Sequence, residues 1–314
     1  MLFQRRGYSA HYDLPTCPGE HHFFSMSFIK DLRIIRLSRK PEGLMKSHLP
    51  VHSQLHGYHW QFRTPAQAEA LSSYCDAFTN AQDACAPGVI PLKVSNSRRV
   101  LRVISDESRC IVKGFSYTDS LGKQFYRHRL YALDEALGLM LAGDRGVSVP
   151  RVIAYGEQRA GIKRLASMVV MEDVENAFHP VDVFRGDRSS GLSIEGVLKR
   201  VTPLIQQLYE AGCNHIDVHG TSFLIHKSNS ESDKVIDFQF AVFHNQPSGR
   251  ILAHQLAHFS RASFKDVDSQ LLDDWVSSVI NELEPAECNA LFNIYQECSR
   301  KPVASAYKRM SLKP

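Results

Sequence analysis

HIDVHGTSFLIH, at residues 215–226, and VIDFQF, at residues 235–240, are the two segments that decide the fold of this chain. In the first, Asp217 follows a His-Ile pair and precedes a short apolar strand. In the second, Asp237 ends another apolar run. Carboxylates displayed at strand ends are typical of sites that hold a metal ion or move a proton. The rest of the chain must indicate which chemistry applies.

Composition sets the outer limits. A chain of 314 residues can bury a sizeable core in one large or two smaller domains. Its net charge of +4 is too small to indicate nucleic-acid binding. The seven cysteines include no CxxC pair, which favours a reducing compartment. With no apolar run of 18 residues and no signal-peptide core, the sequence predicts a cytoplasmic protein without a transmembrane helix.

From about residue 91 the sequence predicts a small sheet followed by helices. β-branched residues flanking a polar turn predict a β-hairpin. Apolar residues at helical spacing predict the helices, and Ser193 and Gly212 suit the two caps of the clearest one. The predicted elements are the hairpin 98–104 and 110–115, helix 130–143, a buried strand at 165–173, helix 193–212, the strands FLI (223–225) and KVIDF (234–238), and helices 269–284 and 286–299. Before them, one helix is predicted around 66–78.

This order of elements, with Lys113 at the end of a strand, resembles the protein-kinase-like fold. HIDVHGTSFLIH is similar to the catalytic loop HxDxHxxNxLx of small-molecule and sugar kinases, and VIDFQ is similar to their DFG segment. The family that the chain resembles, over about residues 90–300, is the lipopolysaccharide kinase (Kdo/WaaP) family. The resemblance implies an α+β fold with two lobes, a small β-rich N-lobe at 89–174 and a helical C-lobe at 175–314. Residues 1–88 are then an N-terminal extension of unknown role.

The resemblance also implies roles for single residues. Phosphoryl transfer needs charge neutralisation at the phosphates, a metal held by carboxylates and a group that orients the attacking hydroxyl. Lys113 would contact the α- and β-phosphates, and an acidic residue of the following helix would hold it. Glu135 is the family-like choice for that partner, with Asp134 as the competitor. Asp217 would orient or deprotonate the acceptor hydroxyl, and Asp237 would bind Mg²⁺.

Three departures from the family pattern leave a pseudokinase open. The second metal ligand, an Asn in the family, is Ser222, whose hydroxyl either ligates Mg²⁺ or bonds the loop backbone. The glycine of DFG is Gln239, which removes backbone freedom. The glycine-rich loop is missing, and KVSNSRRV (93–100) stands in its place, so Ser95, Asn96 and Ser97, with Arg98 or Arg99, would cover the phosphates instead.

The sequence therefore predicts an ATP- and Mg²⁺-dependent kinase that phosphorylates a sugar hydroxyl, Kdo or heptose, of the lipopolysaccharide core. Backbone groups around Glu172 and Val174 would contact adenine. The alternatives are an aminoglycoside- or choline-kinase-like enzyme and a nucleotide-binding pseudokinase with a regulatory role. The expected partner is a glycolipid or small sugar rather than nucleic acid, with peripheral contact at the cytoplasmic face of the inner membrane. The sequence does not indicate the oligomeric state.

Overall fold

The chain has an α+β fold with a β-rich N-lobe and a helical C-lobe, as the sequence predicts. The computed structural model describes residues 41–55, 57–70, 88–95, 98–104, 109–117, 131–263 and 267–300. All of these residues belong to one unit of the chain, Leu37–Pro314.

Within the part of the chain that the structure describes, seven antiparallel strands form the sheet of the N-lobe. In chain order they are β1 (Val51–Leu55), β2 (Tyr58–Phe62), β3 (Val89–Val94), β4 (Arg98–Ile104), β5 (Arg109–Ser116), β6 (Val152–Ala160) and β7 (Lys163–Glu172). Their spatial order is β1-β2-β6-β7-β5-β4-β3. The predicted hairpin is thus confirmed as β4 and β5, and the predicted buried strand is β7, at the centre of the sheet. The hairpin of β1 and β2 pairs with β6, although the sequence assigned it to the extension. The domain boundary at residue 88 stays a prediction.

The two faces of this sheet have different surroundings, because side chains alternate along each strand. Lys113 on β5 lies opposite Val100 on β4 and Val169 on β7, so these three side chains share one face. That face packs against helix α3 (Tyr131–Asp144) and belongs to the larger apolar core. The opposite face covers a second cluster around Trp60. Gly156 makes that packing possible, since a Cβ there would lie 2.6 Å from the Trp60 ring.

Most of the rest of the described chain is helical, and the part of it after β7 forms the C-lobe. The other helices are α1 (Pro41–His48), α2 (Pro65–Ala70), α4 (Pro180–Phe184), α5 (Ile194–Glu210), α6 (Gly249–Ser263), α7 (Ser269–Leu283) and α8 (Cys288–Arg300). The short strands are β8 (Ala177–Phe178), β9 (Cys213–Asn214), β10 (Phe223–His226), β11 (Lys234–Val235) and β12 (Val242–Phe243). Among the described residues, no helix combines the length and the apolar character needed to cross a membrane.

The sequence predicts the clearest helix correctly, but it predicts the end of one strand wrongly. Ser193 caps α5 by accepting a hydrogen bond from the N–H of Gly196, and the apolar stripe of this helix is buried. The predicted strand KVIDF, by contrast, ends at Val235, because Asp237 has a left-handed backbone conformation that no strand contains. Of the helix predicted around 66–78, the structure has α2 up to Ala70, and the remainder lies outside the described residues.

Candidate active site

A buried ion network joins the two lobes at Lys113. Its ammonium donates a 2.8 Å hydrogen bond to Oε1 of Glu135 on α3 and a 2.5 Å hydrogen bond to Oδ1 of Asp237. Lys113 is 4% exposed and Glu135 is fully buried. Burial opposes the charge on this lysine, but the carboxylates of Asp237 and Glu135 outweigh it and raise the pKa of Lys113. Lys113 therefore stays charged and holds the two acids together.

Glu135 is the acid that pairs with Lys113, and it makes a second contact across the lobes. Its Oε2 accepts a 3.1 Å hydrogen bond from the backbone N–H of Gln239. One carboxylate thus bonds strand β5 through one oxygen and the segment after Asp237 through the other. This geometry links the position of α3 to the position of the DFG-like segment.

Asp237 has an uncommon backbone conformation, with φ 68° and ψ 47°. Aspartate tolerates this left-handed region better than most residues, and such conformations concentrate at functional sites. Although burial opposes ionisation, the charges of Lys113 and Arg98 hold the pKa of Asp237 far below its usual range. Gln239 follows in a 3₁₀ turn, Phe238–Phe240, which any residue can form. The glycine of the family pattern is not needed at that position.

Gly138 lets helix α3 approach the DFG-like segment closely. A Cβ at residue 138 would lie 2.7 Å from both the Cβ and the backbone oxygen of Phe238. The Phe238 ring also meets the edge of the His215 ring, with centroids 4.7 Å apart. The glycine thus fixes the spacing between α3 and the residue next to Asp237.

Gly138→Ala is expected to lower phosphoryl-transfer activity by about 10²-fold, because displacing Phe238 also displaces Asp237. The cost of overpacking, about 1–3 kcal/mol, is partly offset by the better helix propensity of alanine. Gly143→Ala is the matched control on the same helix, where the nearest atom would be 3.5 Å away on Val149. Activity and urea denaturation should be measured for both variants. Equal activity of the two variants would contradict this role of Gly138.

The loop that contains Asp217 is anchored by His215. This histidine is buried, and its Nε2 lies 2.8 Å from the carbonyl oxygen of Ile236, the residue before Asp237. Burial lowers the pKa of His215, so the ring is neutral near pH 7 and donates from Nε2. Asp217 itself is partly exposed between the buried Ile216 and Val218. Asp217 therefore lies half-buried in a loop whose neighbouring residues are anchored in the core.

Ser222 ties the two motifs together. Its buried hydroxyl donates a 2.5 Å hydrogen bond to the backbone oxygen of Asp217. Its own backbone oxygen accepts a 2.8 Å hydrogen bond from the N–H of Ile236. These contacts favour the loop-bonding role of Ser222 over the metal-ligand role, because the hydroxyl points into the loop.

The end of strand β7 is the predicted adenine-binding segment. The N–H of Glu172 donates to the carbonyl of Arg151 at 2.9 Å, and Val174 is buried. Between them, the buried carboxylate of Asp173 forms a 2.8 Å ion pair with Arg102 of β4. The N–H of Glu172 is therefore already used within the protein. The adenine contact predicted for this segment would have to use its other backbone groups. Ser97, predicted to cover the phosphates, lies outside the described residues.

The side chains at this site suit Mg²⁺ better than a metal ion whose ligands all come from the protein. Among the described residues, no group of three or more His, Cys, Asp or Glu side chains could hold a metal ion. Magnesium is ordinarily bound through one or two carboxylates, substrate phosphates and water. Asp237 is ionised and its side chain is 22% exposed, so it can supply such a carboxylate.

Comparisons with known proteins find a matching family and a similar solved structure. The model of the lipopolysaccharide kinase (Kdo/WaaP) family matches residues 118–282. A solved structure described as WaaP in complex with acyl carrier protein is 18% identical in sequence, with a TM-score of 0.48. The match covers 70% of this chain and 91% of that one. A search of curated proteins found no match.

Proposed function

The chain belongs to the lipopolysaccharide kinase (Kdo/WaaP) family and is an ATP-dependent kinase, and we propose that it phosphorylates a hydroxyl of Kdo or heptose in the lipopolysaccharide core. The proposal rests on the contacts that link the Asp217 loop to the DFG-like segment with Asp237. The buried Glu135–Lys113–Asp237 network is joined to the Asp217 loop through Ser222 and Ile236.

Each residue has a separate task in this proposal. Bound MgATP supplies the phosphoryl group and neutralises charge at its oxygens. Lys113 exchanges part of its contact with Asp237 for phosphate oxygens, while Glu135 keeps the ammonium in place. Asp237 would hold the magnesium ion. Asp217 accepts the hydrogen bond of the acceptor hydroxyl and orients it for attack. Ser222 and His215 keep the two aspartates at a fixed separation.

The acceptor is the finer part of the proposal. Family membership supports a sugar or glycolipid substrate and action at the cytoplasmic face of the inner membrane. We propose that contact with the membrane is peripheral, since a glycolipid acceptor is embedded there. An aminoglycoside- or choline-like acceptor remains the alternative within the same chemistry, because the HxDxH pattern is shared. The intact set of Lys113, Glu135, Asp217 and Asp237 disfavours a purely regulatory pseudokinase.

A panel of acceptors tests the proposal. The protein would be incubated with γ-labelled ATP and Mg²⁺ together with Kdo-bearing lipid A, heptose-bearing core, an aminoglycoside or choline. We expect label on one of the first two acceptors, as a phosphomonoester that mass spectrometry locates on a Kdo or heptose hydroxyl. Labelling of the aminoglycoside or choline alone would support the alternative acceptor. ATP binding without turnover on any acceptor would favour a regulatory role.

A further inference from the structure

The turn between β3 and β4 stands where protein kinases have a glycine-rich loop over the nucleotide phosphates. Only Asn96 and Ser97 separate Ser95 from Arg98, and no glycine occurs between Val89 and Ile104. The N–H of Ser95 donates to the carbonyl of Arg98 at 2.8 Å. The N–H of Arg98 in turn donates to Oγ of Ser95 at 3.1 Å. The described N–H groups at this hairpin end, those of Ser95 and Arg98, are therefore used within the turn, and a side chain is the better candidate for phosphate contacts.

Arg98 is placed to provide them. It lies opposite Phe115 on the same sheet face as Lys113, and its guanidinium carbon is 5.7 Å from the centre of the Phe115 ring. Nη2 is 3.4 Å from Oδ1 of Asp237, the oxygen that also accepts from Lys113. The contact is long for a hydrogen bond. The buried Nε has no hydrogen-bond partner among the described residues. The guanidinium therefore reaches the site, and its Nε–H is a donor that no described residue uses.

We propose that Arg98 binds the β- and γ-phosphates of ATP in place of a glycine-rich loop. The inference rests on the proposed kinase function. Before nucleotide binds, the guanidinium neutralises part of the charge on Asp237. When nucleotide binds, Arg98 exchanges this carboxylate for phosphate oxygens, which would leave Asp237 to hold Mg²⁺. Its planar guanidinium donates two parallel N–H bonds, which match phosphate geometry. Contact with the Phe115 ring already restricts the side chain, so less conformational entropy is lost when phosphate binds.

Arg99 is a matched control because it has the same charge on the next residue of the strand. It lies opposite Gly114, on the sheet face that points away from Lys113. A general effect of positive charge on nucleotide affinity would respond to both arginines. A direct phosphate contact would respond to Arg98 alone.

The test compares the dissociation constants of adenosine, AMP, ADP and ATP, which differ by one phosphate at each step. They would be measured by calorimetry with and without Mg²⁺. We expect Arg98→Met to weaken binding of ADP and ATP by about tenfold to 10²-fold, as for a lost charge-assisted hydrogen bond. Adenosine and AMP should bind as they do to the wild type, and Arg99→Met should follow the wild type throughout. Arg98→Lys should recover part of the loss, since it keeps the charge without the fork. Circular dichroism of each variant checks the fold.

Three outcomes would overturn the inference. Arg98→Met could keep the full gain in affinity from AMP to ATP, it could lose adenosine affinity equally, or Arg99→Met could show the same loss. If Arg98→Met does not fold, an ATP affinity of Arg98→Lys equal to the wild type would overturn the inference in its place. A wild type that gains no affinity from the β- and γ-phosphates would instead count against the kinase function itself, and the inference would fall with it.

Discussion

Asp217→Asn is expected to reduce phosphoryl transfer by about 10²- to 10⁴-fold, the range for losing a general base. ATP affinity should stay nearly unchanged. The amide has the shape of the carboxylate but cannot accept the proton of the acceptor hydroxyl. The loop should survive the change, because the hydrogen bond from Ser222 ends on the backbone oxygen of residue 217, which asparagine keeps. Steady-state kinetics and calorimetric ATP binding would be measured on the same preparation.

The control for Asp217 is Asp187→Asn, an exposed aspartate whose carboxylate accepts hydrogen bonds from the N–H and the hydroxyl of the nearby Ser189. We expect wild-type turnover and ATP binding from this variant. Wild-type turnover of Asp217→Asn would remove Asp217 from the chemistry. A parallel loss of turnover and ATP affinity would assign it a role in the conformation of the nucleotide site.

Sequence reasoning succeeded where the structure depends on local signals. The turn between β4 and β5, the cap at Ser193 and the stripe of α5 are each set by residues within a few positions of one another. Those elements were predicted to within two residues. The β1–β2 hairpin is absent from the sequence prediction, although β2 alternates apolar and polar residues over YHWQF, which is a strand signal. The strand has only five residues, and its place beside the distant β6 is set by long-range pairing that a local pattern does not indicate.

The candidate site shows the same division between local and long-range information. The sequence left Asp134 and Glu135 as alternatives because the apolar stripe gave no clear orientation for α3. Most of that helix is buried, so periodicity could not indicate which side faces Lys113. The close approach of Gly138 to Phe238 was also missed. A glycine within an otherwise strong helix pattern was the available signal, since such a glycine often has a packing reason.

Ser222 illustrates a further limit of comparison with a family pattern. Its position predicted a weakened metal ligand, and local hydrogen bonding was the alternative reading. Which role applies depends on the path of the loop between Asp217 and Ile236, and the residue types do not determine that path. The hydrogen bonds of Ser222 now favour loop closure. A serine is short enough to close this loop onto its own backbone.

Lys113→Met is expected to reduce phosphoryl transfer by about 10²- to 10³-fold, as for the loss of one electrostatic contact at a reacting group. It should also lower the free energy of unfolding by about 3–5 kcal/mol, the usual cost of removing one partner of a buried ion pair. The physical reason is that Glu135, which is fully buried, loses its cation. Asp237 keeps Arg98 at 3.4 Å and is the less affected acid. Urea denaturation and initial rates with MgATP would be recorded together.

The double variant Lys113→Met with Glu135→Gln separates stability from chemistry. Removing the negative charge of Glu135 should restore part of the lost stability, because no uncompensated buried carboxylate remains on α3. The Gln side chain can still accept from the N–H of Gln239, which preserves the contact between α3 and the DFG-like segment. Activity should stay as low as in Lys113→Met. Lys163→Met, at an exposed lysine of β7, is the control and should match the wild type in both measurements. Recovery of activity together with stability would mean that Lys113 serves only to balance charge in the fold and does not act on the phosphates.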